Sequence, residues 1–181
     1  MKKILVVIDM QNDFITGPLG TPEARAIVDR VCDKIREGWD LVVITKDTHG
    51  YDYLRTQEGK RLPVKHCVEG TDGWYLDSRI YKCVAAQKNW REAFKYDTFG
   101  AADLYEYLYN PEYEDYSGVT ITFVGVCTDI CVISNVLLIK SHYPEATIVV
   151  DASCCAGTTP EMHQKALDVM RSCQIDIINE G

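Results

Sequence analysis

Polar residues that could carry out chemistry stand directly after predicted strands of this chain. Asp9 follows the first apolar run, and Asp47 and His49 follow the second. Cys131 follows a later apolar run and a short polar turn. The carboxyl ends of parallel strands lie along one edge of a sheet, where ligands bind in folds of this type. We therefore expect a carboxylate, a pair of metal-binding groups and a thiol to share one site.

Cys131 is the candidate nucleophile. It lies in the first turn of a helix predicted over 130–143, where the helix dipole and free N–H groups stabilise a thiolate. The same N–H groups can hold the oxyanion that develops when a carbonyl carbon is attacked. A buried structural thiol is the commoner role of a cysteine, so position alone leaves both roles open.

A carboxylate and a cation are expected beside this thiol. Asp9 is the first choice for the carboxylate, although a residue there could also cap the junction between strand and loop. Asp13 is the alternative, but it lies further from the strand end and is more typical of a turn. Lys95 follows a short predicted strand that would bring it to the same edge of the sheet. Lys88 is its rival, although the Asn-Trp that follows it indicates a turn.

Asp47, His49 and His66 form a candidate set of metal ligands. The Asp-x-His pattern puts two side chains on one side of an extended segment, and His66 returns from a long polar loop. Glu58 in that loop is a candidate fourth ligand. Carboxylate and imidazole ligands suit Zn²⁺, Fe²⁺ or Mn²⁺ and do not select among them. The plainer interpretation is two surface histidines and an ordinary aspartate, and the pattern alone slightly favours it.

The apolar runs predict the parallel sheet that carries these residues. They are rich in valine and isoleucine and do not alternate with polar residues, which is typical of strands covered on both faces. The runs are Ile4–Ile8, Leu41–Thr45, Val119–Val126, Thr147–Val150 and Ile175–Ile178. Helical patterns between them indicate right-handed crossovers on an open sheet. The predicted fold is therefore α/β, with three layers and helices on both faces of the sheet.

Two helices have clear start signals. Thr21 and Thr159 are predicted N-caps, with Pro22 and Pro160 in the first helical turn. The stretch 46–74 is long, polar and rich in glycine, and loops of that length in a compact domain are usually functional. Other helical patterns lie at Leu76–Val84, Leu104–Leu108 and Ile130–Tyr143.

Composition limits the classes of function. The chain has 181 residues, 46% of them apolar, which suits one compact domain over 1–181. Its net charge of −8 disfavours binding to nucleic acid and to anionic membranes. No apolar run approaches the ~20 residues of a membrane span, and the first run is shorter than the ~7–15 residues of a signal peptide. We therefore expect a cytoplasmic protein.

The eight cysteines are predicted to be mostly reduced and buried, because the chain shows no export signal and no Cys-x-x-Cys pair. For the adjacent Cys154 and Cys155, two reduced thiols are favoured over a vicinal disulfide. His142 and His163 lie on predicted helices without a partner motif, and we interpret them as structural or surface residues.

Five segments, taken together and in order, resemble the isochorismatase-like cysteine hydrolases, of which nicotinamidase is the best-known activity. The segments are VVIDMQNDF, TKDTH, LPVKHCVEGTDGW, GVCTDICV and DASCCAG, and the resemblance runs nearly end to end. It implies a six-stranded parallel sheet and a catalytic triad of Asp9, Lys95 and Cys131. It also implies a cis peptide between Val126 and Cys127, with the N–H groups of Cys127 and Cys131 forming an oxyanion hole.

The resemblance assigns Asp47, His49 and His66 to a divalent metal, zinc first, with Glu58 matching a fourth ligand of some members. The activity it implies is cleavage of the C–N bond of a small amide through a thioester. Nicotinamide, converted to nicotinate and ammonia, is the leading expected substrate. A lysine beside the nucleophile is expected to favour the thiolate. Family members are often dimers or tetramers, so a homo-oligomer is expected.

The chain departs from the family pattern at one wall of the pocket. Many nicotinamidases have a tryptophan shortly before the second metal histidine, where this chain has Pro63 and Val64. Phe14 or Trp74 is expected to take its place. The presence of Cys131 argues against the vinyl-ether reaction of the isochorismatases proper. Two alternatives stay open: a metal-independent hydrolase of carbamoyl or ureido compounds on the same triad, and a catalytically inactive binding homologue.

Overall fold

A sheet of six parallel strands runs through the computed structural model, which describes residues 2–180. Its strand order is β3-β2-β1-β4-β5-β6. The strands are β1 (Lys2–Ile8), β2 (Leu41–Thr48), β3 (Trp90–Tyr96), β4 (Val119–Val126), β5 (Thr147–Ala156) and β6 (Asp176–Ile178). The predicted six-stranded α/β architecture is confirmed.

Helices cover both faces of this sheet. They are α1 (Asn12–Ile15), α2 (Pro22–Arg36), α3 (Gln57–Arg61), α4 (Ser78–Ala85), α5 (Leu104–Leu108), α6 (Ile133–His142) and α7 (Pro160–Ser172). One core packs α5, α6 and α7 against Ile4, Val6 and Ile8 of β1, and the other packs α1, α2 and α4 against Leu5 and Val7. Because β1 is buried on both sides, its sequence is continuously apolar. Within residues 2–180, no helix is long and apolar enough to cross a membrane.

The predicted N-caps are confirmed. The Thr21 hydroxyl accepts a hydrogen bond from the N–H of Ala24 at 3.0 Å, and the Thr159 hydroxyl accepts one from the N–H of Met162 at 3.1 Å. Each satisfies a backbone donor that the first helical turn leaves unpaired. These caps fix where α2 and α7 begin against the sheet.

Two elements differ from prediction in ways that matter for the site. β2 continues past Thr45 to Thr48, because Lys46 and Asp47 are themselves buried. The helix predicted from residue 130 is a π-helical turn over Thr128–Val132 that leads into α6. The polar stretch after β2 is also partly helical, with a 3₁₀ turn at Tyr53–Arg55 followed by α3.

The strand order reverses between β1 and β4, which are neighbours in the sheet. Crossovers leave in opposite directions at such a point, and the crevice at the carboxyl ends of the strands is where ligands bind in doubly wound sheets. Asp9 follows β1 there and Cys127 follows β4. The peptide between Val126 and Cys127 is cis, as the resemblance implied.

Gly125 makes the close contact between these two central strands. Its φ is +122°, and a Cβ atom at this position would lie 2.1 Å from the carbonyl oxygen of Ile8. Neither the dihedral angle nor the space admits a side chain, because both neighbours are backbone of the central sheet.

We expect Gly125→Ala to lower the free energy of unfolding by at least about 2 kcal/mol, because it combines strain with a backbone clash. Urea unfolding followed by circular dichroism measures the loss. Gly118→Ala is the matched control, since a Cβ atom there meets nothing within 4 Å. Equal stability of the two variants would contradict the prediction.

Candidate active site

Asp9, Lys95 and Cys131 meet at the carboxyl edge of the sheet. The ammonium nitrogen of Lys95 lies 2.6 Å from Asp9 Oδ2 and 3.3 Å from Cys131 Sγ. The side chains of Asp9 and Lys95 are both completely buried. Three separate elements supply these groups: the end of β1, the end of β3 and the π-helical turn after β4.

Neighbouring groups hold this arrangement. The Thr45 hydroxyl donates to Asp9 Oδ1 at 2.6 Å, and the carbonyl oxygen of Phe99 accepts from the Lys95 ammonium at 3.3 Å. Asp9 Oδ2 has no hydrogen-bond partner of good geometry among the described residues, although Lys95 lies close to it. We interpret that contact as a charge pair, which leaves Oδ2 able to accept another proton.

Burial dominates the protonation of these groups. It raises the pKa of Cys131 well above its usual range, and the attraction of Lys95 does not compensate. Burial also raises the pKa of Asp9, against the opposing effect of Lys95. For Lys95, burial lowers the pKa, but Asp9 and Cys131 outweigh it and raise the pKa well above its usual range.

Burial therefore favours the neutral forms of the Cys131 thiol and of Asp9, whereas these two partners favour the charged form of Lys95. Lys95 lowers the pKa of Cys131, in agreement with the expectation that it favours the thiolate, but the desolvation of the thiol has the larger effect. The thiol proton has to leave during the reaction, and Asp9 is the nearby carboxylate. Lys88, the rival lysine, is exposed in the turn before β3 and lies outside the site.

Asp47, His49 and His66 form a second buried cluster beside this one. Their ligand atoms all lie within 4.8 Å of one another. Asp47 Oδ2 lies 3.0 Å from His49 Nε2 and 3.4 Å from His66 Nε2. Glu58 Oε1 stands further out, at 3.8 Å and 3.7 Å from the same nitrogen atoms. The plainer interpretation of two surface histidines is wrong, because both rings are buried.

The cluster fits a divalent cation. The Nδ1 atom of His66 contacts the carbonyl oxygen of Val64 at 2.8 Å, and the Nδ1 atom of His49 contacts Asp97 Oδ1 at the same distance. With each Nδ1 occupied by an outer oxygen, both Nε2 atoms face Asp47, as in metal sites whose histidines have outer-shell partners. Burial lowers the pKa of His49, but Asp47 outweighs it and raises the pKa to about 9. A proton on His49 provides part of the positive charge that a bound metal ion would bring to the cluster.

A cavity of about 320 Å³ opens onto both clusters. Its walls are mainly apolar, and its charged lining groups are the carboxylates of Asp47 and Glu58. The sulfur-bearing residues Cys127 and Cys131 also line it. The apolar walls are formed by Phe14, Leu19, Leu62, Phe99 and Ile130.

Phe14 lines this cavity as expected, but Trp74 does not. The Trp74 ring lies on the far side of β2, where the Lys46 ammonium sits 3.0 Å from the ring centre. Its indole N–H donates to the Thr48 hydroxyl at 3.0 Å. Phe14 is therefore the aromatic residue that lines the cavity, and its ring centre lies 5.5 Å from that of His66. Leu62 is an aliphatic part of the same lining.

Some site residues were missed from the sequence. Phe99 and Asp97 lie just after Lys95 in the segment FKYDTFG, so proximity to the candidate lysine was the available signal. Thr45 ends the predicted second strand, which places it opposite the end of the first. Leu62 carries no signal of its own, because leucine is common in any loop or core.

The fold and the site define a doubly wound α/β protein with a buried thiol at the switch point of its sheet. The family model of the isochorismatase domain matches residues 3–180, so the chain belongs to the isochorismatase family. It is 23% identical to the nicotinamidase of Saccharomyces cerevisiae, over 98% of this chain and 100% of that protein.

Solved structures agree in fold over the whole chain. The nicotinamidase/pyrazinamidase of Bacillus subtilis superposes with a TM-score of 0.79 at 27% identity, covering 99% of this chain and 100% of that one. The pyrazinamidase of Pyrococcus horikoshii in complex with zinc gives a TM-score of 0.77 at 25% identity, covering 99% of both chains.

We expect Lys95→Met to lower the free energy of unfolding by about 3–5 kcal/mol at pH 7, because Asp9 is left buried without its cation. The folded-state pKa of Asp9 then lies further above its unfolded value of about 3.9, so the loss shrinks as the pH falls toward that value. Urea unfolding at pH 7 and at pH 4.5 measures both effects.

Lys88→Met is the matched control, since it makes the same change at an exposed position. An equal loss of stability from both substitutions, or a Lys95→Met loss that does not change with pH, would overturn the proposed pairing.

Proposed function

We propose that this protein is a cysteine hydrolase, one domain over 1–181, that cleaves the C–N bond of a small uncharged amide. Nicotinamide is the leading substrate, with nicotinate and ammonia as products. The observation that carries the proposal is that the Cys131 thiol, which lines an apolar cavity, meets the Lys95 ammonium and, through it, the Asp9 carboxylate. The nicotinamidases among its relatives support the same reaction.

Catalysis begins with the thiol proton. Asp9 accepts it while Cys131 Sγ attacks the amide carbon, so charge is not left on a desolvated sulfur. Lys95 keeps its proton throughout and balances the negative charge that Asp9 and Cys131 share. Asp9 then returns the proton to the amide nitrogen, which leaves as ammonia. Water cleaves the resulting thioester, giving the carboxylic acid and restoring the thiol.

Backbone N–H groups would hold the oxyanion formed in both halves of the reaction. Within residues 2–180, the N–H of Cys127 donates to no backbone or side-chain acceptor. It stands at the start of the π-helical turn that carries Cys131. Removing one donor from such a site typically costs about 3–4 kcal/mol of transition-state stabilisation. A free, rigid donor beside the nucleophile therefore supports the oxyanion hole of Cys127 and Cys131.

The charge of the cavity favours neutral substrates. Its charged lining groups are Asp47 and Glu58, and no arginine or lysine side chain lines its walls among the described residues. In a site without a metal ion, a substrate carboxylate would be desolvated with no arginine or lysine to pair with, which is costly. This observation argues against the alternative of a ureido-acid hydrolase.

We infer that Asp47, His49 and His66 hold a divalent metal ion, zinc first, with Glu58 as a candidate further ligand. The chemistry of the donor set supports this assignment, and so does the similarity to a pyrazinamidase solved with zinc. When bound, such an ion supplies Lewis acidity and orients a polar group of the substrate or a water molecule.

We further propose that the protein works in the cytoplasm as a homo-oligomer. Two exposed apolar side chains, Phe99 and Leu138, border a shallow surface beside the mouth of the cavity and support an interface there.

We expect Cys131→Ala to remove at least about 10⁴-fold of the activity on nicotinamide, since no thioester can form. Ammonia release measures the rate, and circular dichroism confirms that the variant is folded. Cys173→Ala, at an exposed thiol that does not line the cavity, is the matched control and should retain full activity. Full turnover by Cys131→Ala would exclude the thioester mechanism.

We also expect the enzyme to discriminate against negative charge. Benzamide, 4-carbamoylbenzoate and the methyl ester of 4-carbamoylbenzoate share one ring, and the ester controls for size. We expect kcat/KM for the anion to fall at least about 100-fold below that for the ester, because the cavity lining offers its carboxylate no arginine or lysine partner. Ammonia release again measures the rates. A preference for the anion would revive the ureido-acid alternative.

A further inference from the structure

A carboxylate outside the metal-ligand set contacts one of the histidines. Asp97 Oδ1 lies 2.8 Å from His49 Nδ1, on the side of the ring that faces away from Asp47. Building on the metal site proposed above, we propose that Asp97 is a positioning residue for that site. It holds the Nδ1 proton of His49 and the angle of its ring, so that the Nε2 lone pair faces the cation.

The two histidines differ in what holds their outer nitrogen atoms. His66 Nδ1 contacts the backbone carbonyl of Val64, which no side-chain substitution removes. His49 Nδ1 instead contacts a carboxylate, which adds negative charge as well as an acceptor. A carboxylate partner makes the imidazole a more basic ligand and fixes its tautomer. Asp97 therefore contributes both orientation and charge at His49.

The backbone places Asp97 for this contact. Its φ is 50°, in the left-handed region that aspartate tolerates better than most residues. Its N–H donates to the carbonyl oxygen of Thr48 at 3.3 Å, which ties the end of β3 to the end of β2 beside His49. The same strand end carries Lys95 two residues earlier, so one segment supports the thiol site and the metal site.

The solvent exposure of Asp97 indicates that it does not act by packing in the protein core. The Asp97 side chain is 49% exposed, whereas the His49 ring is fully buried. A carboxylate that is half exposed contributes little to a hydrophobic core. The expected effect of removing it therefore falls on ligand geometry and metal affinity more than on folding.

The test is metal affinity. Zn²⁺ is titrated into metal-free wild type, Asp97→Ala and Asp97→Asn in competition with a chromophoric chelator. We expect Asp97→Ala to raise the Kd for Zn²⁺ by 10–100-fold, the usual effect of losing an outer-shell partner. Asp97→Asn keeps an acceptor for the Nδ1 proton without the charge, so its loss should be smaller. The absorption bands of the Co²⁺-loaded protein should also shift in Asp97→Ala.

Asp103→Ala is the matched control, because it removes one exposed carboxylate further along the same segment without touching a histidine. An equal rise in Kd for Asp97→Ala and Asp103→Ala would show a general charge effect and overturn the proposal. If Asp97→Ala does not fold, the comparison of Asp97→Asn with Asp103→Asn decides in the same way.

The proposal and the metal site can fail separately. Tight Zn²⁺ binding by wild type, with no change in Kd or Co²⁺ spectrum for Asp97→Ala, overturns the role of Asp97 alone. Failure of wild type to bind Zn²⁺, Fe²⁺ or Mn²⁺ overturns the metal site and this inference with it, while leaving the thiol chemistry to be judged by Cys131→Ala.

Discussion

The buried ion pair between Asp9 and Lys95 is the interaction on which the site depends. Taking both charges out of water costs several kcal/mol each, and the pair recovers that cost only while the two groups remain in contact. The contact joins the end of β1 to the end of β3, across β2. Cys131 then approaches the same ammonium from the turn after β4, so the pair sets the position of three elements.

The same ammonium links the two halves of the site. Lys95 Nζ lies 3.7 Å from Asp47 Oδ1, on the ligand cluster, as well as next to the thiol. Negative charge on Asp9, Asp47 and Glu58 is thus gathered around one fixed cation and two histidines. Placing a metal ion in the cluster would change the field at Cys131 as well as at the ligands, which ties the electrostatics of nucleophile and metal together.

The sequence predicted the fold and most of the site because each depends on short-range signals. Valine-rich runs indicated the strands, and the polar residues after Ile8 and Thr45 indicated which edge of the sheet carries the site. What it could not predict depends on tertiary contact. Trp74 packs against Lys46, whose ammonium lies 3.0 Å from the ring centre, and does not line the cavity. The raised pKa of Cys131 follows from how deeply the thiol is buried, and no local sequence pattern indicates that depth. Asp97 contacts His49 because β2 and β3 are aligned side by side in the sheet.

The edge position of β3 affects the order in which parts of the protein unfold under heat or denaturant. This strand carries the Lys95 ammonium, yet it lies at an edge and has β2 as its only strand neighbour among the described residues. Edge strands fray at lower free energy than the centre of a sheet. Heat or mild denaturant can therefore separate the Lys95 ammonium from Asp9 while β1, β4 and β5 remain paired. Inactivation would then precede the unfolding of the central sheet.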